Sequence, residues 1–108
     1  SCNFNIIAEC SRGYMGQCTC CNEYNFAFNN LLITFSEEHL AWFFDWLLQN
    51  RDNPDLYFPL ANGQDRIYRS PLDNFFITFN FNELEELEML YGQVQLVWQA
   101  RKIVNTKV

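Results

Sequence analysis

One stretch of the chain recurs at an offset of 44 residues: Asn30-Leu-Leu-Ile-Thr-Phe-Ser36 aligns with Asn74-Phe-Phe-Ile-Thr-Phe-Asn80. Each run reads as a strand and ends in a residue able to cap a helix, Ser36 or Asn80. The match continues through Leu40 and Leu84. Upstream of the first run, Tyr24, Phe26 and Phe28 alternate with smaller or polar residues, and Asn29-Asn30 can supply the positive φ angles of a tight hairpin turn. Upstream of the second, Arg66-Ile-Tyr-Arg69 precedes the turn-forming Pro71-Leu-Asp-Asn74.

After Ser36, the apolar residues Leu40, Phe43, Phe44, Leu47 and Leu48 keep helical spacing, and the helix should stop near Asn50, before Asn53-Pro54. After Asn80, the pair Asn80 and Glu83 has capping-box spacing, and Leu84, Leu87, Tyr91, Val94 and Trp98 form a second core stripe. Gly92 weakens that helix by roughly 1 kcal/mol without ending it. The pattern predicts an α+β two-layer sandwich, its antiparallel sheet built from two hairpin-helix units in a pseudo-twofold repeat. An extra strand runs from about Phe4 to Ala8. One domain spans 1–108, with a cysteine-rich segment at 1–23, a first unit at 24–50 and a second at 66–104.

Composition narrows function by exclusion. Seven Lys and Arg against 13 Asp and Glu give a net charge of −6, the wrong sign for tracking a phosphate backbone, so nucleic acid is not expected as a partner. The densest apolar stretch, Leu40 to Leu48, is short and broken by Asp45, so no transmembrane helix is expected. The beginning of the chain lacks a basic segment followed by an apolar one, so a signal peptide was either never made or removed. Missing too are a G-x-S-x-G elbow, a phosphate-binding glycine loop and an H-E-x-x-H pair, and the chain has one His; no enzyme activity and no small-molecule substrate are expected. The acids Glu83, Glu85, Glu86 and Glu88 read as solvated charges favoured by a helix N-terminus.

The five cysteines, Cys2, Cys10, Cys18, Cys20 and Cys21, all lie in the first fifth of the chain. An odd, clustered set suits a reducing compartment and converging thiolates better than a disulfide framework, which points to the cytoplasm. Cys18-Thr-Cys-Cys21-Asn22 has the C-x-x-C spacing of a zinc knuckle, and Asn22 supplies a residue tolerant of positive φ just after the second Cys. A structural zinc then takes Cys18 and Cys21, with Cys2 and Cys10 completing the tetrahedron if the N-terminal strand folds back beside the knuckle. Cys20 points away as a spare thiol or exchanges roles with Cys21. His39, in the first turn of the first helix, either substitutes for Cys2 or Cys10 or faces solvent. Two other readings of the cluster stand beside this one: thiol redox or iron–sulfur chemistry, and incidental buried thiols in a metal-free interaction module.

Two surfaces read as binding features. Trp42 and Trp46 share a flank outside the core arc of the first helix and either pack under a loop or anchor a partner. Met89, Leu96, Ala100 and Ile103 form a stripe opposite the core face of the second helix, to be covered by a protein partner, by a homodimer or by the other helix.

Cys2, Cys18, Cys21, Phe28-Asn29-Asn30 and Glu83-Leu84 together resemble a family of small uncharacterised bacterial proteins from Bacteroidota, known only as a domain of unknown function. The resemblance covers nearly the whole chain and implies an intact domain with a cysteine site. It implies no substrate, and it does not extend to Cys10 or Cys20. The expected function is that of a small zinc-binding domain acting as a protein-interaction or adaptor module.

Overall fold

The computed structural model describes residues 3–106. Four strands, β1 (Phe4–Cys10), β2 (Gly13–Cys18), β3 (Tyr24–Phe28) and β4 (Leu31–Phe35), form an antiparallel meander in the order β1-β2-β3-β4. Helix α1 (Glu37–Gln49), a 3-10 turn at Pro54–Leu56, the hairpin β5 (Arg66–Arg69) and β6 (Phe76–Phe79), and helix α2 (Phe81–Thr106) follow.

Local chemistry sets most of these boundaries. Asn29, at φ 52°, makes the two-residue turn between β3 and β4, with Phe28 opposite Leu31. The Ser36 hydroxyl accepts the His39 backbone N–H at 3.2 Å and so caps α1, which ends at Asn50. At the start of α2 the capping box is complete: Asn80 Oδ1 accepts from the Glu83 N–H and Glu83 Oε1 from the Asn80 N–H, both at 2.9 Å. The helix continues through Gly92.

Strand β2 was not expected, because Gly13-Tyr-Met-Gly-Gln-Cys18 carries two glycines and reads as a turn-rich cysteine segment. Packing explains the first of them. A Cβ at Gly13 would collide with the backbone of Ala27 on β3, so the strands approach there only because the side chain is absent. Between Ile6 and Ala8 the β1–β2 register shifts by one residue at a bulge.

The alternate residues Tyr24, Phe26 and Phe28 of β3, with Met15 of β2, face the core. Leu40, Phe43, Phe44 and Leu47 of α1 and Leu84, Leu87, Leu90, Tyr91 and Val94 of α2 cover them. Aromatic rings dominate the contact. Phe44 stacks on Tyr91 with centroids 5.0 Å apart and meets Phe26 edge-on at 5.1 Å.

The two hairpins do not share one sheet, contrary to the expected architecture: β5 and β6 form a separate two-stranded sheet, to which Tyr57 adds a single bridge at Arg66. Side chains join them to the rest. Phe79 packs on Phe28 at 6.2 Å, Tyr68 meets Trp46 at 5.3 Å, and the Tyr68 hydroxyl donates to the Leu47 carbonyl at 2.9 Å. The Glu83 carboxylate, also read from sequence as a solvated acid, is only 7% exposed. It accepts from Asn29 Nδ2 at 2.9 Å and Gln64 Nε2 at 2.7 Å, besides the Asn80 N–H at 2.9 Å. One buried acid thereby ties the β3–β4 turn, the loop before β5 and the start of α2. Glu83→Ala strands three donors and should cost about 3 kcal/mol in denaturant unfolding, whereas an exposed neighbour, Glu85→Ala, should change little.

Burial pushes the Tyr68 and Tyr91 phenols up to about 12, with the Asp45 carboxylate adding to the effect on Tyr91. A phenol in the unfolded chain ionises near 10. The contribution of these two groups to stability should therefore be complete below pH about 10 and be lost as pH rises toward 12. Equilibrium unfolding across that range, with Tyr68→Phe reducing the loss, measures it.

Candidate functional site

The register of β1 and β2 decides which cysteines meet. Phe4 pairs with Cys18 at one end of this hairpin and Cys10 with Gly13 at the other. Gly13 and Cys18 are five residue steps apart along β2, or roughly 17 Å of extended chain. Cys10, expected as a ligand beside the knuckle, therefore lies at the far end of the strand, where its thiol donates to the Gly13 carbonyl at 3.6 Å. The N-terminal strand does fold back beside the knuckle, but it carries Cys10 away.

Residues 18–22 form a tight excursion between β2 and β3. The Cys18 N–H donates to the Glu23 carbonyl at 2.7 Å, the Asn22 N–H to the Cys18 carbonyl at 3.2 Å, and the Thr19 N–H to the Asn3 carbonyl at 2.9 Å. Asn22 adopts φ 60°, the left-handed conformation expected directly after Cys21. Inside this turn Cys18 is buried, while Cys20 and Cys21 are exposed.

The sulfurs converge on Cys18. Its Sγ lies 3.6 Å from Cys20 Sγ. It accepts the backbone N–H groups of Cys21 and Cys20, which hold its thiol below the usual range, and the Cys21 thiol acts in the same direction. Burial and the nearby Glu23 carboxylate oppose that shift. Cys20 is no spare thiol; it is disulfide-bonded, whereas Cys10, Cys18 and Cys21 are free. Cys2 lies outside the described residues. Among the described residues, no group of three or more His, Cys, Asp or Glu side chains is placed to hold a metal ion.

The surroundings are polar. A cleft of about 520 Å³ beside the turn is lined by Cys21, Asn22, Tyr24, Ser36, Glu37 and Arg101, and one of about 480 Å³ by Asn5, Cys18, Thr19 and the same Arg101. Tyr24 donates to Glu37 Oε1 at 3.0 Å and accepts from Trp98 Nε1 at 2.9 Å, which locks β3, α1 and α2 together next to the turn. His39, the other ligand candidate, is exposed on α1.

A larger cleft, about 570 Å³, opens away from the cysteines between the β3–β4 turn and β6. Sequence reasoning missed it. Its polar lining includes Asn29, Gln64 and Glu83, which bond to one another and so serve the fold. The Asn80–Glu83 capping spacing signalled only the bonds between Asn80 and Glu83.

The two tryptophans stack with centroids 6.0 Å apart and planes 3° from parallel, but they differ in role. Trp46 packs against the core, and Trp42 is 67% exposed. Met89, Leu96 and Ile103 are exposed at 68%, 66% and 67%, so α1 does not wrap over that stripe.

A family of unknown function, DUF6686, matches residues 1–106. The chain belongs to that family. No curated protein and no solved structure matches it. No helix among the described residues is long and apolar enough to cross a membrane. For this DUF6686 chain, Asn22 is the residue whose backbone most directly shapes the cysteine turn. Asn22→Gly should leave thermal stability nearly unchanged, and Asn22→Val should lower it by about 1–2 kcal/mol through left-handed strain.

Proposed function

We propose that this DUF6686 chain is a small intracellular zinc-binding domain in which the knuckle thiolates hold one structural zinc and the remaining surface binds protein. The carrying observation is the convergence at Cys18: a second sulfur at 3.6 Å and backbone N–H groups from Cys20 and Cys21 aimed at its own. Zinc bound by four thiolates at about 2.3 Å sets neighbouring sulfurs about 3.8 Å apart along the edges of its tetrahedron. In this reading Cys18, Cys20 and Cys21 supply three ligands once reduction of the Cys20 disulfide lets the turn close around the ion, since the oxidised turn does not group them to hold one. The fourth is Cys2, which adjoins Asn3, whose carbonyl receives the Thr19 N–H of the turn.

Zinc takes thiolates, so the loaded form is the one in which the Cys20 disulfide has been reduced by two electrons. A reducing cytoplasm supplies that condition and agrees with the clustered cysteines. Metal affinity then becomes folding free energy for the β2–β3 turn and the start of β1. The single, exposed imidazole and the knuckle's backbone-buttressed sulfur favour a structural role over catalysis.

The disulfide also favours a second reading, thiol exchange. The Cys18 thiolate, 3.6 Å from Cys20 Sγ, attacks that sulfur and displaces its present partner as a thiolate, so no external oxidant is consumed.

Elemental analysis of protein purified without air separates the readings. About one zinc per chain and no visible absorption is the expected result. Cys18→Ser and Cys21→Ser should each lose the metal and melt earlier, while Cys10→Ser should keep both properties. Metal-free parent protein would overturn the zinc reading, and rapid thiol–disulfide exchange in that sample would favour the second; a coloured, iron-containing protein would indicate a cluster.

A further inference from the structure

Strand β6 has one paired edge and one open edge. The Ser70 N–H donates to the Phe75 carbonyl at 3.2 Å and the Asp65 N–H to the Phe79 carbonyl at 3.1 Å, so alternate residues from Phe75 turn their backbone groups toward β5. The alternation of an antiparallel ladder turns those of Phe76 and Thr78 the other way. That way lies the cleft of about 570 Å³ between β6 and the β3–β4 turn, since Gln64 Nε2, on the cleft wall, donates to the Thr78 carbonyl at 3.0 Å. Among the described residues nothing pairs with the Phe76 N–H, the Phe76 carbonyl or the Thr78 N–H.

The groups left open are the complement of another peptide backbone. Two N–H donors and a carbonyl stand at strand spacing, and the Gln64 carboxamide already holds the place at Thr78 from which a neighbouring strand would donate. Charge excludes an ionic ligand: among the described residues the lining holds no Lys or Arg, and its acid, Glu83, already accepts from three donors. Apolar surface lies alongside, with Phe75 and Phe76 exposed at 54% and 47%. Over the roughly 13 Å length of β6 the cleft has a cross-section of roughly 44 Å², about that of one strand set 4.7–4.9 Å from its neighbour in a layer about 10 Å thick. The edge is also unguarded. Phe76-Ile-Thr-Phe79 has no charge, proline or bulge, whereas β1, at the edge of the meander, is bulged after Ile6 and carries Glu9.

We infer that this cleft binds an extended, uncharged segment of a partner protein, which adds a strand to the β5–β6 sheet through Phe76 and Thr78. The inference deepens the protein-binding part of the proposed function and makes no use of the cysteines.

Selection of a phage-displayed library of random peptides on the full chain tests it, with zinc measured on the same preparation. Enriched sequences should alternate apolar and neutral polar residues, and a synthetic copy of one should slow hydrogen exchange at the Phe76 and Thr78 amides. Phe76→Pro removes an open N–H without touching the β5 ladder, and proline is tolerated at a strand edge. Phe76→Ala keeps that N–H and reports the share of the ring. The proline variant should bind the peptide roughly fivefold more weakly than the alanine variant, at unchanged zinc content. Should it fail to fold, exchange at Phe76 and Thr78 in the parent decides. No enriched sequence, a bound peptide that leaves those two amides exchanging as before, or a folded Phe76→Pro that binds as tightly as Phe76→Ala would overturn the inference. A peptide bound elsewhere would overturn it while leaving the protein-binding reading in place, and none of these outcomes touches the metal.

Discussion

The buried carboxylate of Glu83 holds together two parts that backbone hydrogen bonding leaves separate. The four-stranded meander and the β5–β6 hairpin share no ladder, so their union depends on side chains. Aromatic contacts such as Phe28 with Phe79 provide apolar burial but weak directionality. Glu83 supplies direction, accepting from Asn29 beyond β3, from Gln64 before β5 and from the Asn80 backbone at the start of α2. Desolvating a carboxylate is costly, and three charge-assisted hydrogen bonds in fixed geometry offset that cost. With α2 fixed at its first turn, its apolar face lies along the sheet and its later turns reach the cysteine end of the molecule, where Trp98 meets Tyr24 and Arg101 lines the clefts.

At that end the determining constraint is strand register. Pairing Phe4 with Cys18 brings the start of β1 to the turn and sends Cys10 to the opposite end of the hairpin. The turn itself needs a left-handed residue after Cys21, and Asn22 is one of the few residue types that adopts that conformation at small cost. Backbone N–H groups then point at the Cys18 sulfur without any charged side chain being spent there.

Periodicity made the repeated strands and both helices legible, because each buries one face at the spacing its geometry imposes. Caps were legible at Ser36 and Asn80 for the same local reason. Strand β2 was not, since its glycines answer a close approach by β3 that no local pattern encodes. That omission propagated to the site: without β2, Cys10 was free to be placed beside the knuckle. Asn22 and the C-x-x-C turn were readable from residue types alone, whereas the burial of Glu83 depends on Asn29 and Gln64, both distant in sequence. Likewise the recurrence of Ile-Thr-Phe marked two hairpins correctly but said nothing of whether they share a sheet.

The central chemical claim is that the sulfurs gathered at Cys18 form a closed thiolate site for zinc. X-ray absorption at the zinc edge, on protein purified without air, addresses it directly. Four sulfur neighbours at about 2.3 Å is the expected first coordination shell. A shell of nitrogen or oxygen atoms, or a sample without bound zinc, would contradict it.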